Sequence, residues 1–230
     1  MARFKSQLLK LSRRRTLFFL LILFVCCFLF WSLIKLNDYQ LTLSRRCVKN
    51  AEEERYQLNL LVEGDKILSA LNITHFLCYG TLWAALRRGK LLPWKRNVDF
   101  CILNEDLAEY DELYFRRNFF RQGFDIEYKA TEGYYIVRPK KVEYHYGSLR
   151  LHLFEKRPNL KIIRRIGIKY RLLPDTSESI HSFPSRLIKS PINTLSLSNL
   201  KFPAPREGIE IQKYHYKNDW WIEIKPEECK

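Results

Sequence analysis

Nineteen consecutive uncharged residues near the N-terminus form the longest such run in the chain. They occupy positions 16–34 and are rich in Leu and Phe. At about 1.5 Å per residue, a helix of this length crosses a hydrocarbon core of roughly 30 Å. The run ends in residues 30–34, Phe-Trp-Ser-Leu-Ile, instead of the small residues of a cleavage site, so we expect an uncleaved signal anchor. A buried hairpin helix is the alternative.

The charges around this run predict the orientation of the chain. Residues 1–15 contain six Lys or Arg side chains and no acid, which places them in the cytosol as a tail by the positive-inside rule. Residues 35–50 are mostly polar without a clear period and predict a stem. Residues 51–230 would then form a lumenal domain of a single-pass type II protein in the Golgi or endoplasmic reticulum membrane.

Behind the stem, hydrophobic residues recur at two different spacings, which predicts an α+β domain. Helical spacing from Ala51 to Leu71, with three glutamates near the start, predicts an amphipathic helix. A second helical stretch begins with Asn104 as a candidate cap and ends at about Arg121. Shorter apolar runs predict strands at Thr74–Tyr79, Val98–Leu103, Phe124–Lys129, Tyr134–Arg138 and Leu149–Phe154. We therefore expect a mixed sheet flanked by helices, and a proline-rich segment after Pro158 that wraps the sheet.

The stretch from Cys78 to Ile102 holds the candidate chemistry. A strand ends at Gly80-Thr81, with Thr81 able to cap a short helix. Such a turn before a helix is typical of a phosphate site, although a simple strand-end turn is the alternative. The next strand carries Asp99, and Asn97 lies on the same face because side chains alternate along a strand.

Charge and cysteine content narrow the class of ligand and the compartment. The formal net charge of +15 favours an anionic ligand such as a nucleotide or a phosphorylated glycan, unless the charge is simply spread over the surface. Nucleic acid is not expected in the lumen. No pair of Cys and His residues has zinc spacing. Four cysteines would meet an oxidising lumen and allow three complete pairings, which the sequence leaves open: Cys47, Cys78, Cys101 and Cys229.

One triplet, Asn72-Ile73-Thr74, is an acceptor sequence for N-glycosylation. A glycan at Asn72 would agree with the lumenal placement.

Several motifs together resemble the LicD and fukutin family of nucleotidyltransferase-fold enzymes. That family shows G-T-L-L-G-x-x-R, a gap, and then I-P-W-D-D-D-I-D. The corresponding segments here are Tyr79-Gly80-Thr81-Leu82 through Arg87, Leu92-Pro93-Trp94 and Val98-Asp99. Residues 151–154, Leu-His-Leu-Phe, resemble a later family strand, and residues 183–184, 202–205 and 216–220 resemble its C-terminal end. The resemblance covers about residues 57–222.

The resemblance implies a transferase that moves phosphocholine or ribitol phosphate from a CDP-linked donor to a glycan acceptor. It also implies a divalent metal, Mg²⁺ or Mn²⁺, and other Golgi transferases as partners. Asp99 would be catalytic, and the metal ligands would be Asp99, Asn97 and His152. The residues expected to bind substrate are Gly80, Thr81, Arg87, Lys95 and Arg96.

The acidic motif of the family is degenerate in this chain. Lys95-Arg96-Asn97 replaces the acidic run after Trp94, and His152 stands where an acid is usual. Two negative charges are thereby lost from a site that should hold a doubly charged ion. One hypothesis is that the two cations neutralise the pyrophosphate directly, with Asp99 and His152 left as base or as ligands of a softer metal.

Competing interpretations follow from the same residues. The protein could be a catalytically inactive pseudoenzyme that binds nucleotide, glycan or an active transferase. A membrane-tethered adaptor with a basic surface is a third interpretation. His152 could equally be a packed core histidine, and Arg87 a surface residue.

Overall fold

The computed structural model describes residues 20–35, 47–140, 147–174, 177, 181–189 and 191–229. The chain forms two compact units, one of Met1–Cys47 with Cys229 and one of Val48–Glu228 with Lys230. In the first unit, residues 20–35 form helix α1. Across the described ranges, no helix combines the length and the hydrophobicity needed to span a bilayer. Residues 16–19 of the predicted span and residues 36–46 of the predicted stem lie outside the described residues.

The second unit begins with helix α2 (Ala51–Ala70), which confirms the predicted helix to within one residue. Its start is fixed locally by a capping box. The Asn50 side chain accepts from the Glu53 backbone N–H at 2.7 Å, and the Glu53 carboxylate accepts from the Asn50 N–H at 3.4 Å. Gly64 faces the Leu149 side chain, where a Cβ would clash. The missing side chain therefore lets α2 pack closely on the sheet.

A seven-stranded mixed sheet forms the centre of this unit, as predicted from the apolar runs. Its main path has the order β1-β2-β5-β4-β3, and β6 joins β5 to β7. Strands β2 and β5 are parallel, and the other pairs are antiparallel. The strands are β1 (His75–Leu77), β2 (Val98–Leu103), β3 (Phe124–Lys129), β4 (Tyr134–Pro139), β5 (Leu149–Arg157), β6 (Ile162–Arg165) and β7 (Phe183–Pro184).

The start of helix α3 (Tyr79–Arg87) differs from the prediction. The predicted strand at this point is only three residues long, so Gly80 and Thr81 lie inside the helix and not in a turn before it. Cys78 is the N-cap, and no side chain caps the helix. The prediction that Thr81 caps the helix is therefore wrong. A disulfide between Cys78 and Cys101 holds this helix start against β2.

The helical stretch predicted from Asn104 to Arg121 is two helices. Helix α4 (Asn104–Leu107) is short, and α5 (Glu112–Arg121) begins afresh. The cause is Asp111, whose carboxylate accepts from the backbone N–H groups of Leu113 and Tyr114 and starts the second helix. Asn104 lies within α4, so it is not the cap.

The proline-rich C-terminal segment contains more regular structure than predicted. It adds β6 and β7 to the sheet, a separate hairpin of β8 (Asn193–Leu197) and β9 (Leu200–Ala204), and helix α6 (Gly208–His215). A two-stranded sheet has only edge strands, so Pro203 in β9 costs little pairing. The second disulfide joins Cys47 to Cys229, which selects one of the three pairings left open.

Candidate functional site

Asp99 is the buried centre of the site, with 2% of its surface exposed. Its Oδ2 forms an ion pair with the Nζ of Lys95, and its Oδ1 accepts a hydrogen bond from His152 Nε2 at 3.0 Å. The Asp99 backbone N–H donates to the Thr81 hydroxyl at 2.9 Å, which ties α3 to β2. Both carboxylate oxygens are therefore engaged by protein donors.

The ionisation state of Asp99 follows from these contacts. Burial by itself would raise the pKa of Asp99, but the charge of Lys95 and the hydrogen bond from His152 outweigh burial and lower the pKa well below its usual range. Asp99 is therefore an anion at any physiological pH, and Lys95 supplies its compensating charge.

His152 is a neutral bridge between Asp99 and Arg165. The guanidinium of Arg165 donates to His152 Nδ1 at 3.3 Å. Since a guanidinium has no acceptor, Nδ1 carries no proton and Nε2 must be the N–H that donates to Asp99. Burial lowers the pKa of His152 to about 4, although the carboxylate of Asp99 acts in the opposite direction.

The sheet geometry brings these residues to one face. Asp99 on β2 is in register with Arg150 on β5, and Cys101 is in register with His152. Arg165 on β6 pairs with Phe154, two residues beyond His152, and so lies on the same face. Neighbouring strands thus collect one carboxylate, one imidazole and two guanidinium groups.

These side chains line a cavity of about 490 Å³, which we call the cationic cavity. Its charged lining consists of two acids, Asp99 and Glu132, and four cations, Lys95, Arg150, Arg165 and Lys169. Lys95 pairs with Asp99, and Lys169 pairs with Glu132. The two arginines have no carboxylate partner within the part of the chain that the structure describes. The neutral lining is Tyr79, Tyr134, His152, Tyr170, His181 and Tyr216.

A second cavity of about 570 Å³ shares Lys95 and Tyr216 with the cationic cavity. Its lining is mainly apolar and aromatic, and we call it the aromatic cavity. It is formed by Gly80, Trp83, Leu92, Trp94, Lys95, Arg96, Asn97, Tyr216, Asp219, Ile222, Glu223, Ile224 and Pro226. An aromatic wall next to a cationic pocket suits a ligand with a planar or hydroxyl-rich part joined to a phosphate.

Three histidines surround the ring of Tyr79 at one side of the site. His215 stacks on it with ring centroids 4.4 Å apart, and His152 and His181 approach edge-on at 4.6 and 5.3 Å. Burial lowers the pKa of His181 to about 4 and that of His215 well below its usual value. These three histidines, which we call the histidine wall, are therefore uncharged at neutral pH. The positive charge of the cationic cavity comes from Lys and Arg side chains.

The structure brings some of the sequence-predicted site residues together. Asp99, His152 and Lys95 are in direct contact. Gly80 lies beside Lys95, and a Cβ at this position would come within 2.8 Å of Lys95 Nζ. Gly80 therefore makes room for the ion pair, a role that the predicted phosphate turn did not include.

Other predicted residues lie elsewhere. Thr81 is buried and bonds to Asp99, so it lines neither cavity. Arg87 is exposed at the end of α3 over the ring of Trp220 at 5.5 Å, and it also lines neither cavity. Arg96 and Asn97 line the aromatic cavity. The roles of these residues in binding a substrate stay predictions.

Sequence reasoning missed Arg150 and Arg165. Arg150 could have been predicted from the sequence, because it precedes His152 by two residues in a predicted strand and so lies on the same face of that strand. Arg165 could not have been predicted, because it lies in a segment that was expected to be irregular. It lies at the site only because β6 pairs with β5.

The residues at the predicted metal position do not fit a divalent ion. Asn97 Oδ1 accepts from the Ser148 N–H at 3.2 Å and from the Ser148 hydroxyl at 2.9 Å. His152 uses both ring nitrogens, and Asp99 faces an ammonium. Among the described residues, no three His, Cys, Asp or Glu side chains form a group suited to a metal. Mg²⁺ requires free anionic oxygens, which this arrangement does not provide.

Asn72, the predicted glycosylation site, lies exposed at the turn after α2. Its position is accessible to a modifying enzyme, and the modification remains a prediction.

Comparison with known proteins supplies the family. The sequence model of the nucleotidyltransferase domain of LicD/FKTN/FKRP matches residues 72–207, more than half of the chain. No curated protein sequence matches significantly. Among solved structures, the solution structure of the antibiotic-resistance factor ANT(2'')-Ia is similar, with 10% identity, a TM-score of 0.46, and coverage of 76% of this chain and 80% of that one. The matched range includes Gly80, Asp99, His152 and Arg165, and by this match the chain belongs to the LicD/FKTN/FKRP nucleotidyltransferase-domain family.

Proposed function

We propose that this protein is a transferase of the LicD/fukutin kind that moves a phosphorylated alcohol, ribitol phosphate or phosphocholine, from a CDP-linked donor to a glycan. Family membership supports the transferase class. The observation that carries the proposal to a phosphate-bearing donor is the buried carboxylate of Asp99 within a cavity whose other charges are mainly cationic. The two adjoining cavities suit a ligand that has both a diphosphate and a base or sugar.

The proposed chemistry is a single displacement at phosphorus. The acceptor hydroxyl oxygen forms a bond to the phosphorus that carries the alcohol, the bond from that phosphorus to the bridging oxygen breaks, and CMP leaves with the bond electrons. Asp99 accepts the hydroxyl proton. Phosphoryl transfer depends mainly on positioning and charge stabilisation, so a carboxylate of low basicity is sufficient when the proton leaves late.

Lys95 has a second role in this scheme. At rest its ammonium neutralises Asp99. When a diphosphate enters, the ammonium turns toward the phosphate oxygens, because it is held on a flexible side chain that is part of the lining of both cavities. Asp99 then loses its cation, its pKa rises, and it becomes a better proton acceptor.

We place this activity in the secretory pathway, with residues 16–34 as a signal anchor and the catalytic domain in the Golgi or endoplasmic reticulum lumen. The uncharged N-terminal run and the basic residues before it support this placement. The two disulfides support an oxidising compartment. Protease protection of the domain in intact microsomes, together with loss of a mass shift on Asn72→Gln, would test it. Digestion of the domain without detergent would contradict it.

One observation favours a second candidate, an inactive relative that binds nucleotide, glycan or an active transferase. Asp99 is already neutralised by Lys95, and the residues around it do not suit a metal. A fold of this family can keep its ligand without its chemistry.

The deciding experiment uses the full chain in detergent with CDP-ribitol or CDP-choline and a glycan acceptor, and it measures both donor binding and release of CMP. Release of CMP by wild type but not by Asp99→Asn supports the transferase. Binding without CMP release supports the inactive relative. Absence of both donor binding and CMP release contradicts the transferase and the nucleotide-binding form of the inactive relative.

A further inference from the structure

The cationic cavity contains more positive charge than its own acids compensate. Four cations face two carboxylates across its lining. The two ion pairs of Lys95 with Asp99 and Lys169 with Glu132 leave Arg150 and Arg165 as the excess. A diphosphate diester carries two negative charges at neutral pH, so the excess matches this ligand in magnitude and is opposite in sign.

Each of the two arginines has a hydrogen-bond donor that is not used within the described part of the chain. The Nε of Arg150 and the Nε of Arg165 are buried and have no hydrogen-bond partner in the described part of the chain. Arg165 is only 8% exposed, and its Nη2 donates both to His152 Nδ1 and to the Glu132 carbonyl. A buried guanidinium with unused donors is costly, and an anion would satisfy it.

Aromatic rings fix the directions of both guanidinium groups. Arg150 lies over the ring of Tyr134 at 5.5 Å, and Arg165 lies 5.0 Å from the ring of Tyr170 and 5.6 Å from that of Tyr79. These contacts hold the charges in place without neutralising them, so less side-chain freedom is lost when an anion binds.

Lys95 stands in the sequence at a position where the family pattern has an acid. Its ammonium contacts Asp99 directly, and the absent side chain of Gly80 leaves the space for it. The Lys95 side chain lines both cavities, so its ammonium can contact a ligand in either cavity from its position beside Asp99. A lysine here provides one positive charge that is covalently part of the protein.

We infer that the cationic cavity is a metal-independent site for a diphosphate group, with Lys95 in place of the divalent ion and Arg150 and Arg165 as the groups that bind the phosphate oxygens. The inference rests on the proposed function for the identity of the ligand as a CDP-linked donor. Its physical content, binding of a diphosphate without metal, can be tested separately from transfer.

The test is calorimetric titration of the full chain with inorganic pyrophosphate at low ionic strength, once with excess EDTA and once with Mg²⁺. We expect binding in EDTA that added Mg²⁺ does not strengthen. Arg150→Gln should weaken it roughly tenfold, as expected for the loss of a charge-assisted hydrogen bond. Lys95→Gln should weaken it as well. Lys156→Gln removes an exposed cation from the same strand outside both cavities, and it should bind as wild type does.

Each other outcome is decisive. Pyrophosphate binding that requires Mg²⁺, no binding in either condition, or Arg150→Gln equal to Lys156→Gln would overturn the inference. A thermal melt of each variant confirms that it is folded, and Arg150 is only half-buried, so its replacement should be tolerated. Metal-free binding without CMP release from a CDP-linked donor would leave the inference standing and contradict the transferase. CMP release that requires a metal, without pyrophosphate binding in EDTA, would contradict the inference and support the transferase.

Discussion

The ammonium group of Lys95 contacts the carboxylate of Asp99, in the segment where the family pattern has a run of acids. The absent side chain of Gly80 leaves room for this pair. A Cβ there would lie 2.8 Å from Lys95 Nζ and 3.0 Å from its Cδ. We therefore expect residue 80 to influence where the Lys95 ammonium lies relative to Asp99.

Gly80→Ala should displace Lys95 without unfolding the protein. The atoms that the new methyl group meets belong to the end of a flexible side chain, and alanine has a higher helix propensity than glycine. We expect weaker pyrophosphate binding and a change in melting temperature of only a few degrees. Calorimetry and thermal unfolding measure the two effects. Wild-type affinity in this variant would show that the position of Lys95 is not controlled by Gly80.

His152→Phe should destabilise the domain by about 2–4 kcal/mol, because it leaves Oδ1 of Asp99 without its donor and removes one of the two acceptors of Arg165 in a buried site. His152→Gln is the matched control, since its amide can still donate toward Asp99 and should cost less. Urea unfolding of the two variants gives the comparison. Equal stability of His152→Phe and wild type would mean that the bridge contributes nothing.

Stability should fall as the pH is lowered from about 7 toward 4.5. The pKa of His152 and that of His181 are each lowered to about 4, and the pKa of His215 is lowered as well. Unfolded histidine titrates near 6.5, so between these values the unfolded chain binds more protons than the folded one, and acid favours unfolding.

The melting temperature as a function of pH tests this directly. The melting temperature should change with pH between about pH 4 and pH 6.5, and this change should be smaller in His181→Gln. The depressed pKa of Asp99 adds a loss only at still lower pH. A melting temperature that is constant or rises as the pH falls through this window would contradict the neutral state of the histidine wall.

The fold was predictable wherever its cause is local. Helix α2 was found to within one residue because its hydrophobic period and its capping glutamate lie within its own sequence. Strand β2 was found from an apolar run that holds one carboxylate, Asp99. The start of α3 was missed because the disulfide from Cys78 to Cys101 fixes it, and the sequence left that pairing open. Arg165 was missed because strand register is a non-local property.

The sequence predicted which residues form the candidate site better than it predicted their contacts with one another. Asp99, His152 and Lys95 were all named from the sequence, but Lys95 was expected to face a pyrophosphate and His152 a metal. Their contacts with Asp99 depend on the parallel pairing of β2 with β5 and on the space beside Gly80. Neither can be obtained from residue type and spacing alone.

The buried disulfide should contribute to both stability and site geometry. Cys78 and Cys101 are 23 residues apart in sequence, and closing a loop of this size stabilises a protein by about 3 kcal/mol in the chain-entropy model. We expect the double variant Cys78→Ala with Cys101→Ala to lose about this much and to bind pyrophosphate more weakly, because α3 is no longer tied to β2. Denaturant unfolding measures the first effect. Unchanged stability would show that packing alone holds the helix start.

The charge at Asp99 is the centre of this account, and binding of Mn²⁺ followed by electron paramagnetic resonance tests it most directly. We predict that the wild-type full chain takes up no Mn²⁺ that depends on Asp99. The double variant Lys95→Asp with Asn97→Asp, which restores acids near Asp99, should bind the ion, and adding Asp99→Asn should abolish that binding. Tight Mn²⁺ binding by the wild type that disappears in Asp99→Asn would contradict the account, because a metal and not Lys95 would then be the partner of this carboxylate.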